Sequence, residues 1–176
     1  MNADAVVCAT GVIPTALRVD GAERAIGAND VLNGAVTGKN VVVIGGGSIG
    51  CETAEFLARQ GKKVAIVEML DSLAANTGKT AQTVLLGHLK GLGVKMLTQC
   101  RVRSINNDSV VYVDKNGNKR ELIADTVVVA IGNKPDAALY ESLKDCVSEL
   151  YNIGDSNGGG IIPNAVYDGY TVGNKI

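Results

Sequence analysis

The sequence has no tryptophan, one phenylalanine and five tyrosines, so aromatic residues make up only 3% of its 176 positions. It has no excess of either charge: 17 Lys and Arg face 18 Asp and Glu, a formal net charge of −1. No basic block marks a nucleic-acid surface and no polybasic patch marks a membrane, so neither partner is expected. No apolar run approaches the roughly 18 residues that a spanning helix needs. The apolar start has no cationic stretch before it, which argues against a secretory signal. A cytoplasmic location is the expectation. Cys8, Cys51, Cys100 and Cys146 are far apart, and no pair has CxxC spacing. Sequence neighbours therefore form neither a zinc site nor a redox dithiol, and free, mostly buried thiols are expected. A site assembled through space stays open. The single histidine, His88, stands between leucines in a helical stretch with no Ser or Cys partner, which fits a packed or half-exposed helix residue. No catalytic residue and no metal ligand is assigned.

What is present is aliphatic. Hydrophobic residues reach 46% and glycine numbers 22. That mixture suits glycine turns between buried strands, as in α/β proteins. Residues 4–9 read as a strand, and residues 12–38 as a linker with a short turn of helix near Asn29–Leu32. Val41 to Ile44 is an unbroken apolar run, as expected for a strand covered on both faces of a parallel sheet. A helix, stopped by Gly61, and a second strand follow. Lys79–Lys90 reads as the next helix and Val94–Thr98 as a strand. Residues 101–105, 109–114 and 119–123 read as a three-stranded antiparallel meander with KNGN as a hairpin turn. Residues 125–132 form another parallel-type strand. After them come a helix at 137–145, a strand in ELYNIGD, a loop SNGGG, and a helix from about Pro163, a residue tolerated at a first helical position. The stretches DAVVCATG (4–11) and DTVVVAIG (125–132) echo each other and bracket everything between.

GGGSIG fits GxGxxG as Gly45, Gly47 and Gly50. Alone that pattern is weak. Here it follows an apolar strand and opens a helix in a βαβ unit. The first glycine permits the tight turn, the second lets a pyrophosphate approach, and the third allows close helix–strand packing. The helix start, including Ser48 and Ile49, offers free N–H groups and a positive dipole end. Glu68 ends the second strand, 23 residues after Gly45. A carboxylate there accepts hydrogen bonds from ribose hydroxyls and repels a 2′-phosphate, and Met69 and Leu70 offer no cation instead. NAD is favoured over NADP on that basis. The competing reading of Glu68 is a solvated strand end. An S-adenosylmethionine site or a purely structural turn fits less well, because a meander precedes the last strand.

Taken together, VVVIGGGSIGCETAEFLARQGKKVAIVE, ADTVVVAIGNKPD and YNIGD resemble the pyridine-nucleotide-disulfide oxidoreductase superfamily. GGIIPNAVYDGY resembles the C-terminal part of the NADH:flavin oxidoreductases related to 2,4-dienoyl-CoA reductase and trimethylamine dehydrogenase. The resemblance implies a Rossmann-like NAD-binding domain at 40–132, inserted into an FAD-binding domain represented by residues 1–39 and 133–176. It implies crossovers at ATG and AIG, with Thr10 and Gly11 on the flavin side and Ile131 and Gly132 on the nicotinamide side. It places Gly154 and Asp155 near FAD, and Glu52 near the nicotinamide end, where a plain first-turn acid is an equal reading. The family's FAD fingerprint would precede residue 4, and larger relatives carry FMN and an iron–sulfur cluster in a further domain. Ser48 replaces a tyrosine common in disulfide reductases, and their redox dithiol is missing. The implied activity is hydride delivery from NADH to FAD, and onward to an enoate-type substrate. The alternatives are a catalytically silent NAD-binding module and a reductase of a small redox carrier.

Overall fold

Valine-rich runs become the strands of this chain. In chain order the computed structural model contains β1 (Val6–Cys8), β2 (Val12–Pro14), β3 (Ile26–Gly27), α1 (Ala28–Leu32), β4 (Asn40–Ile44), α2 (Ser48–Arg59), β5 (Lys63–Val67), α3 (Lys79–Gly91) and β6 (Lys95–Leu97). These are followed by β7 (Arg101–Ile105), β8 (Ser109–Val113), β9 (Lys119–Ile123), β10 (Thr126–Val129), β11 (Asn133–Pro135), α4 (Ala138–Leu143), β12 (Leu150–Asn152) and α5 (Ile162–Gly173). The structure describes residues 3–158 and 160–176. Gly159, part of the SNGGG stretch read as a loop, lies outside the described residues, as do Met1 and Asn2. Two units are distinct: residues 3–15 with 133–176, and residues 16–132.

The second unit is a five-stranded parallel sheet in the order β3-β10-β4-β5-β6. Its strands are apolar because both faces are covered. Val41 and Val43 of β4 face a core shared with Ala54, Leu57 and Leu89 on the helix side. Val42 and Ile44 face the opposite way, into a core with Val102, Val110 and Tyr112 of the meander. The meander is a separate antiparallel sheet, β7-β8-β9. Helix α2 buries Gly50, Cys51, Thr53, Ala54, Leu57 and Ala58, a stripe at the three-to-four spacing of a helix face. Leu57 is 1% exposed, and burying such a side chain is worth about 1.5–3 kcal/mol. The helix ends at Arg59, and Gly61 takes the positive φ of 79° that the turn into β5 requires.

Residues 16–39 are more than a linker. The short helix expected near Asn29–Leu32 is α1, and just before it Ile26–Gly27 pairs with β10 at the sheet edge. The start of β4 is clamped by Asp125, whose Oδ2 accepts hydrogen bonds from the Lys39 N–H, the Asn40 N–H and the Asn40 side chain. Gly38 must lack a side chain there, since a Cβ would lie 2.3 Å from Asp125 Cβ.

In the first unit, β1 and β12 pair in parallel, with Cys8 opposite Asn152. β2 and β11 form an antiparallel ribbon, with Asn133 opposite Pro14. The strand in ELYNIGD gives way to a 3₁₀ turn at Gly154–Asn157, inside the stretch read partly as loop. Pro163 is the second rather than the first residue of α5, because the helix starts at Ile162. Ile162, Val166, Tyr167 and Tyr170 of α5 are exposed. Among the described residues no helix is long and apolar enough to cross a membrane.

Candidate dinucleotide-binding site

The carboxyl ends of β4, β5 and β10 open on one cleft of about 800 Å³, lined by Ile44, Val67 and Ala130 at those ends. Crevices at this end of a parallel sheet are where α/β folds take ligands. Of the residues singled out from sequence, Gly45, Gly47, Ser48, Ile49, Glu68, Ile131 and Gly132 line the cleft together.

The three glycines differ in the room they have for a side chain. Gly45 has φ 105°, and a Cβ on it would meet the Ala130 carbonyl oxygen at 2.3 Å. A Cβ on Gly50 would meet the Gly45 carbonyl oxygen at 2.0 Å. Both are therefore fixed by backbone packing. A Cβ on Gly47 would meet only Asn76 Oδ1, at 4.0 Å, so packing does not require a glycine there. Gly45, Gly46 and Gly50 are buried, Gly47 and Ser48 half-buried, and Ile49 exposed, so the turn is packed at its base and open at the helix start. Among the described residues no acceptor meets the N–H groups of Gly47, Ile49 and Gly50.

Glu68 is not a solvated strand end. It is 8% exposed. Its Oε2 accepts the Gly46 N–H at 2.6 Å and its Oε1 accepts the Leu70 N–H at 2.7 Å. The Gly46 carbonyl in turn accepts the Ala74 N–H at 2.7 Å and the Cys51 thiol at 3.4 Å. Burial pushes the Cys51 thiol up to about 11, and the nearby Glu68 and Glu52 carboxylates add to the rise. Glu52 itself is exposed on α2 and does not line the cleft.

Two groups of lining residues were not anticipated from sequence. Asn76, in the loop after β5, accepts the Ser48 N–H on Oδ1 at 3.2 Å and donates from Nδ2 to Ser48 Oγ at 3.3 Å. Arg101 and Arg103 alternate with buried Val102 along β7 and reach the cleft together with Arg18. Among the described residues none of these three forms a salt bridge. The only sequence signal was the alternation of charge and valine in RVR.

The other expected residues belong to the first unit. The Thr10 hydroxyl donates to the Asp136 carbonyl, and the Gly11 carbonyl accepts the Asp136 N–H at 2.9 Å. Gly154 donates its N–H to Asp168 Oδ2 at 3.0 Å, and Asp155 is exposed. Because β1 and β12 are parallel with Cys8 opposite Asn152, these two pairs leave from the same end of the two strands. His88 is half-exposed, with Nδ1 3.0 Å from Glu55 Oε1, and has no place in the cleft.

Residues 1–167 match the family described as pyridine nucleotide-disulphide oxidoreductase. The chain belongs to that family. It is 37% identical over 180 residues to an NADH oxidase of Thermoanaerobacter brockii, an alignment that takes in 98% of this chain and 28% of that protein. It is 33% identical to a cinnamate reductase of Clostridium sporogenes, over 99% of this chain and 27% of that one. A solved 2-naphthoyl-CoA reductase, in complex with 2-naphthoyl-CoA, superposes with a TM-score of 0.92 at 32% identity, again over 98% of this chain and 27% of the other. The chain thus spans less than a third of the length of these relatives.

Proposed function

We propose that residues 16–132 bind NAD(H), as the nicotinamide-binding portion of a flavin-dependent NADH oxidoreductase. One observation carries this reading. The first turn of α2 presents unpartnered N–H groups to a cleft whose floor, at Gly47, lacks a side chain. A pyrophosphate is the anion such a helix start accepts, and the dipole favours it. Arg18, Arg101 and Arg103 add positive potential to the same cleft. Each Glu68 oxygen has a second lone pair beyond its backbone bond, available to the adenosine ribose hydroxyls. Ile131 and Gly132 would flank the nicotinamide half.

When bound, NADH supplies a hydride and FAD accepts it. The chain's own part is to bind and orient. Ile44, Val67 and Ile131 give the cleft apolar walls that exclude water, and no side chain is asked to hold or move a proton. Thr10, Gly11, Gly154 and Asp155 are the residues proposed to touch FAD. In a longer polypeptide of the relatives' size, a further domain would hold FMN and an iron–sulfur cluster, which would supply the redox chemistry toward an enoate-type substrate. Cinnamate reductase and 2-naphthoyl-CoA reductase, named for unsaturated substrates, support that direction. The cluster ligands would lie outside this chain, since no group of three potential metal ligands occurs among the described residues.

Titration of the purified protein with NADH, followed by NADH fluorescence, tests the reading. Saturable quenching or a spectral shift is expected. Absence of binding overturns it. A yellow preparation that oxidises NADH supports a working flavin site in these residues; a colourless one that binds NADH supports a nicotinamide-binding portion only.

A further inference from the structure

We propose that Asn76 is a phosphate-contacting residue of the cleft, a third side to the cradle formed by the glycine turn and the helix start. The inference rests on the dinucleotide reading above and adds a ligand group from a separate loop. Asn76 lines the cleft. The Ser48 N–H is a donor only, so the amide must turn Oδ1 toward it, as the 3.2 Å bond has it. That orientation leaves Nδ2 with two hydrogens. One goes to Ser48 Oγ at 3.3 Å, and the other has no partner among the described residues. The amide also stands over the bare position of Gly47, being the nearest group to a Cβ built there. An anion lying on the N–H groups of Gly47 and Ile49 is thus flanked by an amide N–H.

The side chain is held for this. The Ala74 N–H is bonded to the Gly46 carbonyl at 2.7 Å, and buried Leu73 packs over Gly46. Gln82 Nε2 donates to the Leu73 carbonyl at 2.6 Å, tying the loop to α3. Ala74 adopts φ 50°, a left-handed conformation that a non-glycine residue takes only when its surroundings require it. Asn76 follows two residues later, so its reach does not depend on a loose loop.

The test is the order of two variants. Asn76→Asp keeps an acceptor for the Ser48 N–H but loses the donor and brings a negative charge beside the phosphate. Asn76→Ala loses both. If Asn76 touches phosphate, NADH affinity falls about tenfold or more in Asn76→Ala, the worth of a hydrogen bond to a charged group, and further still in Asn76→Asp. If Asn76 only caps α2, Asn76→Ala melts lower than wild type yet keeps wild-type NADH affinity, and the proposal is overturned. Wild-type affinity in Asn76→Asp overturns it too. Thermal melts of both variants accompany the titrations, and Asn76→Asp is expected to melt no lower than Asn76→Ala. Should the wild-type chain itself fail to bind NADH, the parent reading falls; should it bind and the variants rank the other way, only the role of Asn76 falls.

Discussion

Glu68 holds Gly46 across 22 positions of sequence, through a 2.6 Å bond from the glycine N–H to a carboxylate that is 8% exposed. The acid at the end of the second strand is therefore part of the turn that precedes the helix. Glu68→Ala strands the buried Gly46 N–H and leaves the Leu70 N–H, on an exposed residue, to water; the loss at Gly46 costs about 1–3 kcal/mol. A lowered melting temperature is expected, together with weaker NADH binding. Glu68→Gln retains one acceptor oxygen and should fall between. Wild-type melting of Glu68→Ala would refute the clamp.

The two outer glycines and the middle one should separate stability from binding. Gly50→Ala forces a Cβ to within 2.0 Å of a backbone oxygen that has no room to move. Overpacking of that kind costs about 1–3 kcal/mol or more. Gly47 has φ −68° and open space, so Gly47→Ala is expected to melt close to wild type and lose NADH affinity. If both variants melt alike, the division of labour is wrong.

Acid sensitivity has an identifiable contributor on the far side of α2. Glu55 accepts hydrogen bonds from Arg59 at 2.6 and 3.0 Å and lies 3.0 Å from His88. The Arg59 hydrogen bond above all, helped by the Arg59 charge and by the hydrogen bond and charge of His88, holds its carboxyl below the usual range against the opposing effect of burial. A depressed folded-state pKa adds stability above the unfolded value, and that stability is lost as pH falls through the lower folded value. The contribution of so exposed a cluster is about 0.5 kcal/mol, less at high salt. Denaturant melts of wild type and Glu55→Gln should converge as pH drops from about 5 to about 3, the ordinary carboxylate range and just below it. A constant gap across that range would exclude the linkage.

Thiol chemistry should be confined to one position. Cys8, Cys51 and Cys100 are buried, and burial raises the thiols of Cys51 and Cys100. Only thiolate is nucleophilic. Native protein treated with iodoacetamide near pH 7.5 should be labelled at exposed Cys146, and at all four positions after unfolding. Rapid native labelling of Cys51 would contradict its packing under the glycine turn.

Much of this site could be read before the fold was known, because its logic is local. Gly45, Gly47 and Gly50 act within one strand, one turn and one helix, and their spacing carries the geometry. The parallel strands were equally plain from runs such as VVVI. Three features were not local. The inward turn of Glu68 depends on Leu73 folding back over Gly46 and on the Leu70 N–H meeting the carboxylate. Asn76 meets Ser48 only because α3 draws the intervening loop across. Arg101 and Arg103 reach the cleft because β7 runs beside residues 17–20, with Asp20 bridged to Ser104. Residues 16–39 read as linker because elements of two to five residues leave no periodicity to detect, and Ile26–Gly27 gains its strand identity only from its neighbour β10.

The ribbon of β2 and β11 has a consequence for how such a protein can be altered. Pro14 lies opposite Asn133, so the chain leaves and returns at adjacent points of one small hairpin-like brace. The entropy of closing a loop grows only with the logarithm of its length, about 0.6 kcal/mol for each doubling. Whatever is strung between those points therefore costs the brace little, however long it is. Residues 16–132 form a cassette in that sense. Another domain whose own ends lie side by side could be spliced between Thr15 and Asn133, or the cassette replaced by a short turn, while the pairing that joins the two ends stays as it is.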